Sequence, residues 1–137
     1  MRSGRVQSQR GNVLIEFAFI LPLFLFLLFG VVSFSIALYN KTVLTMAARE
    51  GARAGALYDP NGNSAATRAR SAAMQVCQNN LISFGGSMNP AVTSTTSGAG
   101  GPGDILTVTA NMNYSGMFIF WDYSDFLISA ATSMRIE

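Results

Sequence analysis

From Phe17 to Val32 the chain has no polar side chain, and the apolar run around this stretch reaches from Val13 to Leu38. A membrane-crossing helix needs about 20 mostly apolar residues to span a hydrocarbon core roughly 30 Å thick. Phe and Leu occupy every face from Phe17 to Phe29, and a helix apolar all round is either lipid-exposed or wholly buried. Pro22 removes one backbone hydrogen bond and opposes the carbonyl of Ala18, which predicts a kink of the kind membrane helices tolerate. Gly30 has no second small residue four positions away, so it reads as a flexible spot rather than half of a helix-pairing motif. After Leu38 the pattern turns amphipathic. Tyr39 is placed as an interfacial aromatic. Val43, Leu44, Ala47, Ala48, Ala52 and Ala56 recur on one helical face, with Lys41, Arg49, Glu50 and Arg53 on the others. The helix is expected to continue to Tyr58, its Ala-rich side suited to close packing. Glu50 and Arg53 are spaced for a surface pair of about 0.2–0.5 kcal/mol.

Asp59-Pro60-Asn61-Gly62-Asn63 is a turn cluster. Ser64 is a candidate N-cap for a second helix, Ala65 to about Leu81. Ala69, Ala72, Ala73, Val76 and Cys77 form its apolar face, with Arg68, Arg70 and Gln75 elsewhere; Asn79-Asn80 and Gly85-Gly86 end it. Ser94 to Gly103 reads as a flexible loop. It is glycine-rich but lacks the Gly-Lys-Ser/Thr ending of a phosphate-binding loop. Ala91 to Thr95 precedes it as a candidate short strand. Ile105 to Met112 alternates, with Leu106, Val108, Ala110 and Met112 facing one way, and Ile128 to Ile136 alternates in the same manner. Those two stretches pair most simply as antiparallel neighbours. Between them, Tyr114 to Phe126 is crowded with aromatics, which fits a flap over the core, a subunit contact or contact with the outer membrane leaflet.

The expected architecture is α+β: a long N-terminal transmembrane helix extended into a small outer domain with a second helix and a two- to four-stranded antiparallel sheet. The segments are 1–11, a basic leader; 12–38, the transmembrane helix; 39–58, its extension; and 59–137, the outer domain. Fewer than 80 residues follow Tyr58, a marginal length for an independent core, so the long helix is expected to supply part of it.

Composition narrows the function. Half of the residues are hydrophobic and 12% are charged, against about 25% in soluble domains. The net charge of +2 is small and mostly N-terminal, so it bears on membrane orientation and gives no footprint for nucleic acid. There is no histidine and one cysteine, Cys77, which rules out an intrachain disulfide, a His- or Cys-based dyad and a zinc site of the usual spacing. Cys77 reads as a buried structural thiol. Asp122 and Asp125 have no further acidic neighbour and make a poor calcium site. No cofactor is expected, and no nucleophile–base pair, carboxylate pair or metal cluster points to an enzyme.

The N-terminus carries Arg2, Arg5 and Arg10 with no acid among them. A basic leader before an apolar run also describes a secretory signal peptide, but such apolar cores are about 7–15 residues long and end at a small-residue cleavage site. Here the core leads into further helix. The basic flank predicts a cytoplasmic N-terminus with the remainder outside. Glu16 lies inside the apolar run. An acid at the centre of a membrane helix costs about 2.5–3.5 kcal/mol, less near an end. It is either a tolerated boundary carboxylate or one that awaits a cation from elsewhere, since the run holds no Lys or Arg.

Arg10 and Gly11-Asn12-Val13-Leu14-Ile15-Glu16-Phe17 resemble the prepilin peptidase site of type IV pilin-like proteins: a Gly, four residues, a Glu and an aromatic, opening a hydrophobic helix. Leu21-Pro22, Ala47-Ala48-Arg49-Glu50-Gly51-Ala52-Arg53 and Met134-Arg135-Ile136-Glu137 bring the resemblance to the TadE-like pseudopilins of the tight-adherence (Tad/Flp) pilus. It covers the first 53 residues closely and the rest loosely. The resemblance implies a pilin-like fold and cleavage between Gly11 and Asn12. Asn12 would then be the new N-terminus and Glu16 the fifth residue, paired with the α-amine of a neighbouring subunit; Phe17 completes the processing motif. Arg49-Glu50-Gly51-Ala52-Arg53 reads either as a partner contact or as a solvated helix surface, and Glu16, Pro22, Arg49, Glu50 and Arg53 are the candidate assembly residues. The resemblance also implies prepilin peptidase, other pilins, the pilus assembly machinery and membrane lipid as partners, and an inner-membrane location or incorporation into the pilus. The alternative is an uncleaved, single-pass envelope binding protein.

Overall fold

The computed structural model describes residues 6–59, 62–83, 88–114 and 126–137, with only the backbone of residues 6–10. Arg2, Arg5, Pro60, Gly85-Gly86, Asp122, Asp125 and most of the aromatic stretch lie outside the described residues.

Helix α1 runs from Val6 to Ala56, 51 residues, and passes through Pro22 without a break. At 1.5 Å per residue it is about 75 Å long. Its two halves differ in what they touch. Val13 to Leu28 are exposed, whereas Ser33 opens a buried stripe through Ala37, Asn40, Val43, Leu44, Ala47, Ala48, Gly51, Ala52, Gly55 and Ala56. Spacings of three and four place that stripe on one face, and the amphipathic face expected from sequence lies within it. Helix α2 (Ala65–Asn80) starts at Ser64, whose Oγ accepts from the Thr67 backbone N–H at 3.2 Å. Its buried residues are Ala65, Ala69, Ala73 and Cys77, one per turn.

Strands β1 (Ala91–Thr96), β2 (Ile105–Tyr114) and β3 (Phe126–Arg135) form an antiparallel meander in the order β1-β2-β3. The register sets Val108 opposite Ser94 on one side and Thr132 on the other. Alternation puts Val92, Leu106, Val108, Ala110, Met112, Tyr114, Ile128 and Ala130 on the inner face. They join Leu44, Ala47, Ala48 and Ala52 of α1 and the alanine row of α2 in a single core. The sheet and the helix pair are thus two layers, and the long helix supplies part of the core. The outer face of the sheet is polar, with Thr93, Thr95, Thr107, Thr109 and Ser133.

The helices approach closely because α1 has glycine where they cross. A Cβ at Gly51 would lie 2.7 Å from the Ala69 carbonyl oxygen and 2.9 Å from the Ala73 Cβ. One at Gly55 would lie 2.8 Å from the Ala65 oxygen, 2.9 Å from the Ala69 Cβ, and against Leu106 Cδ2. Two polar side chains fasten the ends of the pair. Asn40, fully buried, donates to the Ile82 carbonyl at 2.9 Å and accepts from the Ile82 N–H at 3.1 Å. Arg68 donates to the carbonyls of Ala54 (3.2 Å), Gly55 (3.0 Å), Leu57 and Asn63, and lies 3.5 Å from Asp59. The last carbonyls of a helix have no intrahelical donor; here a guanidinium with several N–H groups supplies them. The Glu137 N–H donates to the Ala56 carbonyl at 3.0 Å, so β3 also ends against the end of α1.

Candidate assembly site

The predicted processing residues stand on the exposed part of α1. Gly11, Asn12, Glu16 and Phe17 are all helical and exposed. A Cβ at Gly11 would meet nothing within 4 Å, so packing within this chain does not demand glycine there. Glycine does ease local unwinding, being about 1 kcal/mol less favourable than Ala in a helix.

Glu16 lies in a belt of exposed apolar side chains that includes Val13, Leu14, Phe17, Phe19 and Ile20. Among the described residues no ion pair involves it; the two present are Glu50–Arg53 at 3.9 Å and Asp59–Arg68 at 3.5 Å. A buried charge is tolerated when it is paired. If lipid or another apolar surface covers this belt, the cation for Glu16 has to arrive with a second molecule or from the leader.

Arg49, Glu50 and Arg53 are exposed on the outer half of α1. They stand 33 positions or more beyond Glu16, about 50 Å along the axis. The structure therefore does not bring the two groups of expected assembly residues together; any one partner touching both must run along the helix. Within the same segment Ala47, Ala48, Gly51 and Ala52 face inward. The segment thus combines an inward packing surface with an outward charged one. The Glu50–Arg53 pair forms at its expected spacing, but with both side chains more than half exposed such a pair contributes little. Pro22 sits mid-belt and is exposed.

Sequence reasoning missed Asn40, Gly51, Gly55 and Arg68. The only available signals were an Asn and two Gly on the apolar side of an amphipathic helix, where each is otherwise unfavourable. A cleft of about 390 Å³ opens at the far end of the domain, between the turn after α1 and the glycine-rich loop, lined by Tyr58, Asp59, Arg68, Pro102 and Glu137 among others. Arg68 is already engaged by carbonyls there. Among the described residues no group of three or more Cys, Asp or Glu gathers to hold a metal.

Residues 11–53 match the family model described as TadE-like protein. No curated protein and no solved structure matches the chain. The N-terminal segment is therefore similar to that of TadE-like proteins, and α1 is a candidate membrane span by length and composition.

Proposed function

We propose that this chain is a minor pilin or pseudopilin of a Tad-type pilus, a structural subunit and not an enzyme. It is held in the inner membrane by α1 with its N-terminus in the cytoplasm. A prepilin peptidase cuts between Gly11 and Asn12, and the mature chain then assembles through its exposed helix with sibling subunits. One observation carries this reading. α1 is a single helix whose outer half is built into a domain, while its inner half is bare, apolar and marked by one acid. A plain anchor needs the greasy surface but gains nothing from Glu16. In a bundle of such helices the new α-amine at Asn12 of one subunit supplies the cation that Glu16 of another lacks, and the pairing fixes their axial stagger.

Co-expression with a prepilin peptidase tests this. The expected result is a mature chain shortened by the leader and beginning at Asn12, with processing hindered in Gly11→Ala. A chain still carrying its leader under those conditions would support the uncleaved envelope protein instead. Glu16→Ala is expected to insert normally but to assemble poorly.

A further inference from the structure

The outer domain begins where the bare helix ends, and that boundary falls one bilayer from the start of the apolar run. Val13 to Val32 is 20 residues, about 30 Å of helix, which matches the hydrocarbon thickness. The next residue, Ser33, is the first that the domain buries. Its carbonyl accepts from the Tyr114 hydroxyl at 3.2 Å, and Tyr114 is the register partner of Phe126. The rings of Tyr114 and Phe126 meet edge to face, 5.4 Å between centroids. The β2–β3 end of the sheet is thus level with Ser33, leaving no stalk between domain and span.

The large exposed side chains at this level are apolar, with Ser35 and Asn113 the smaller exposed polar ones among the described residues. Phe34 and Leu127 are each 64% exposed, and Leu38, Tyr39 and Phe126 about half. Over roughly 10 Å along the axis, from Ser33 to Tyr39, the described residues of α1 and of the strand ends include no carboxylate. The carboxylates beyond Glu16 that are described, Glu50, Asp59, Asp104 and Glu137, all lie at the other end of the domain. Large exposed apolar side chains at the level where the span ends fit a domain that sits in the interfacial layer, where Tyr is favoured and apolar groups leave water.

We propose that this end of the outer domain, with Phe34, Leu38, Tyr39, Phe126 and Leu127, docks on the lipid surface from which α1 emerges. The inference rests on the reading of α1 as a membrane span. Docking holds the domain upright on the bilayer before assembly, and leaving the membrane for a filament then exposes these side chains for contact with another subunit.

The test uses the full chain in phosphatidylcholine–phosphatidylglycerol vesicles with nitroxide-labelled lipids, in a Trp121→Phe background that removes the native tryptophan. Three single reporters are compared: Phe24→Trp, Leu127→Trp and Thr95→Trp. Leu127→Trp is expected to be quenched at least twofold more by a label near the headgroups than by one deep in the acyl chain, Phe24→Trp the reverse, and Thr95→Trp by neither. If Phe24→Trp is unquenched, the span itself is wrong and docking falls with it. If Phe24→Trp is quenched but Leu127→Trp is not, the span stands and docking is overturned. In that case, blue-shifted Leu127→Trp emission that is lost on dilution into more lipid assigns the face to a second protein copy.

Discussion

Gly55→Ala is the sharpest probe of how the two helices meet. The added methyl would meet the Ala65 oxygen at 2.8 Å and the Ala69 Cβ at 2.9 Å, both fixed to the backbone of α2, as well as the movable Leu106 Cδ2. Leucine can change rotamer, but α2 can yield only by moving as a unit. Overpacking of this kind costs up to about 3 kcal/mol, and the better helix propensity of Ala returns about 1 kcal/mol. The net loss of about 2 kcal/mol corresponds to roughly a 30-fold rise in the opened population at 1.36 kcal/mol per tenfold. Cys77 makes this measurable: it is the only cysteine, fully buried on the α2 face that packs against α1. Its labelling by a thiol reagent under native conditions, in detergent micelles, reads that opening directly. Gly30→Ala is the control, since a Cβ there would meet nothing within 4 Å. Equal labelling rates for Gly55→Ala, Gly30→Ala and the parent chain would refute the close-packing account.

Two further outcomes follow from buried polar groups. Asn40→Ala removes both hydrogen bonds to Ile82; with Ile82 itself 47% exposed, water replaces part of the loss, and the expected cost is about 1–2 kcal/mol. Amide exchange at Ile82 should quicken about tenfold, and unchanged protection there would contradict the role given to Asn40. Burial pushes the Cys77 thiol above its ordinary value of 9.0, so its neutral form is the one the fold keeps. That contribution is fully present below pH 9.0 and is lost as pH rises through the folded-state value. The parent chain should therefore lose stability relative to Cys77→Ala as pH is raised past 9.0, read by β2 amide exchange at each pH; parallel curves for the two proteins would contradict it.

The strands and the packing face of α1 were legible because their period alone specifies them. Leu106, Val108, Ala110 and Met112 alternate in sequence and are all buried. Val43, Leu44, Ala47, Ala48, Ala52 and Ala56 recur at helical spacing and are buried in the same way. Asn40 and Arg68 were illegible because a polar residue on a helix declares a preference for water, and only a tertiary partner reverses it. The Ile82 backbone is 42 positions from Asn40, and no local rule connects them. Gly51 and Gly55 were obscured differently: they sit among arginines and a glutamate that draw attention to charge. The expected roles of Gly11, Asn12, Glu16 and Phe17 rest on resemblance, since the chemistry proposed for them involves a peptidase and a neighbouring subunit that a single chain does not contain.

Because one uninterrupted helix carries both the bare apolar half and the outer domain, the azimuth of that domain is geared to that of Glu16. Each added residue turns a helix by about 100° and lifts it by about 1.5 Å. A single alanine inserted near Gly30 would leave both halves intact yet swing the domain by more than a quarter-turn relative to the acid. Four inserted residues would nearly restore the bearing. The shaft thus works as a keyed axle, and in the assembly proposed above its phase, as much as its length, would set which flank each subunit offers to the next.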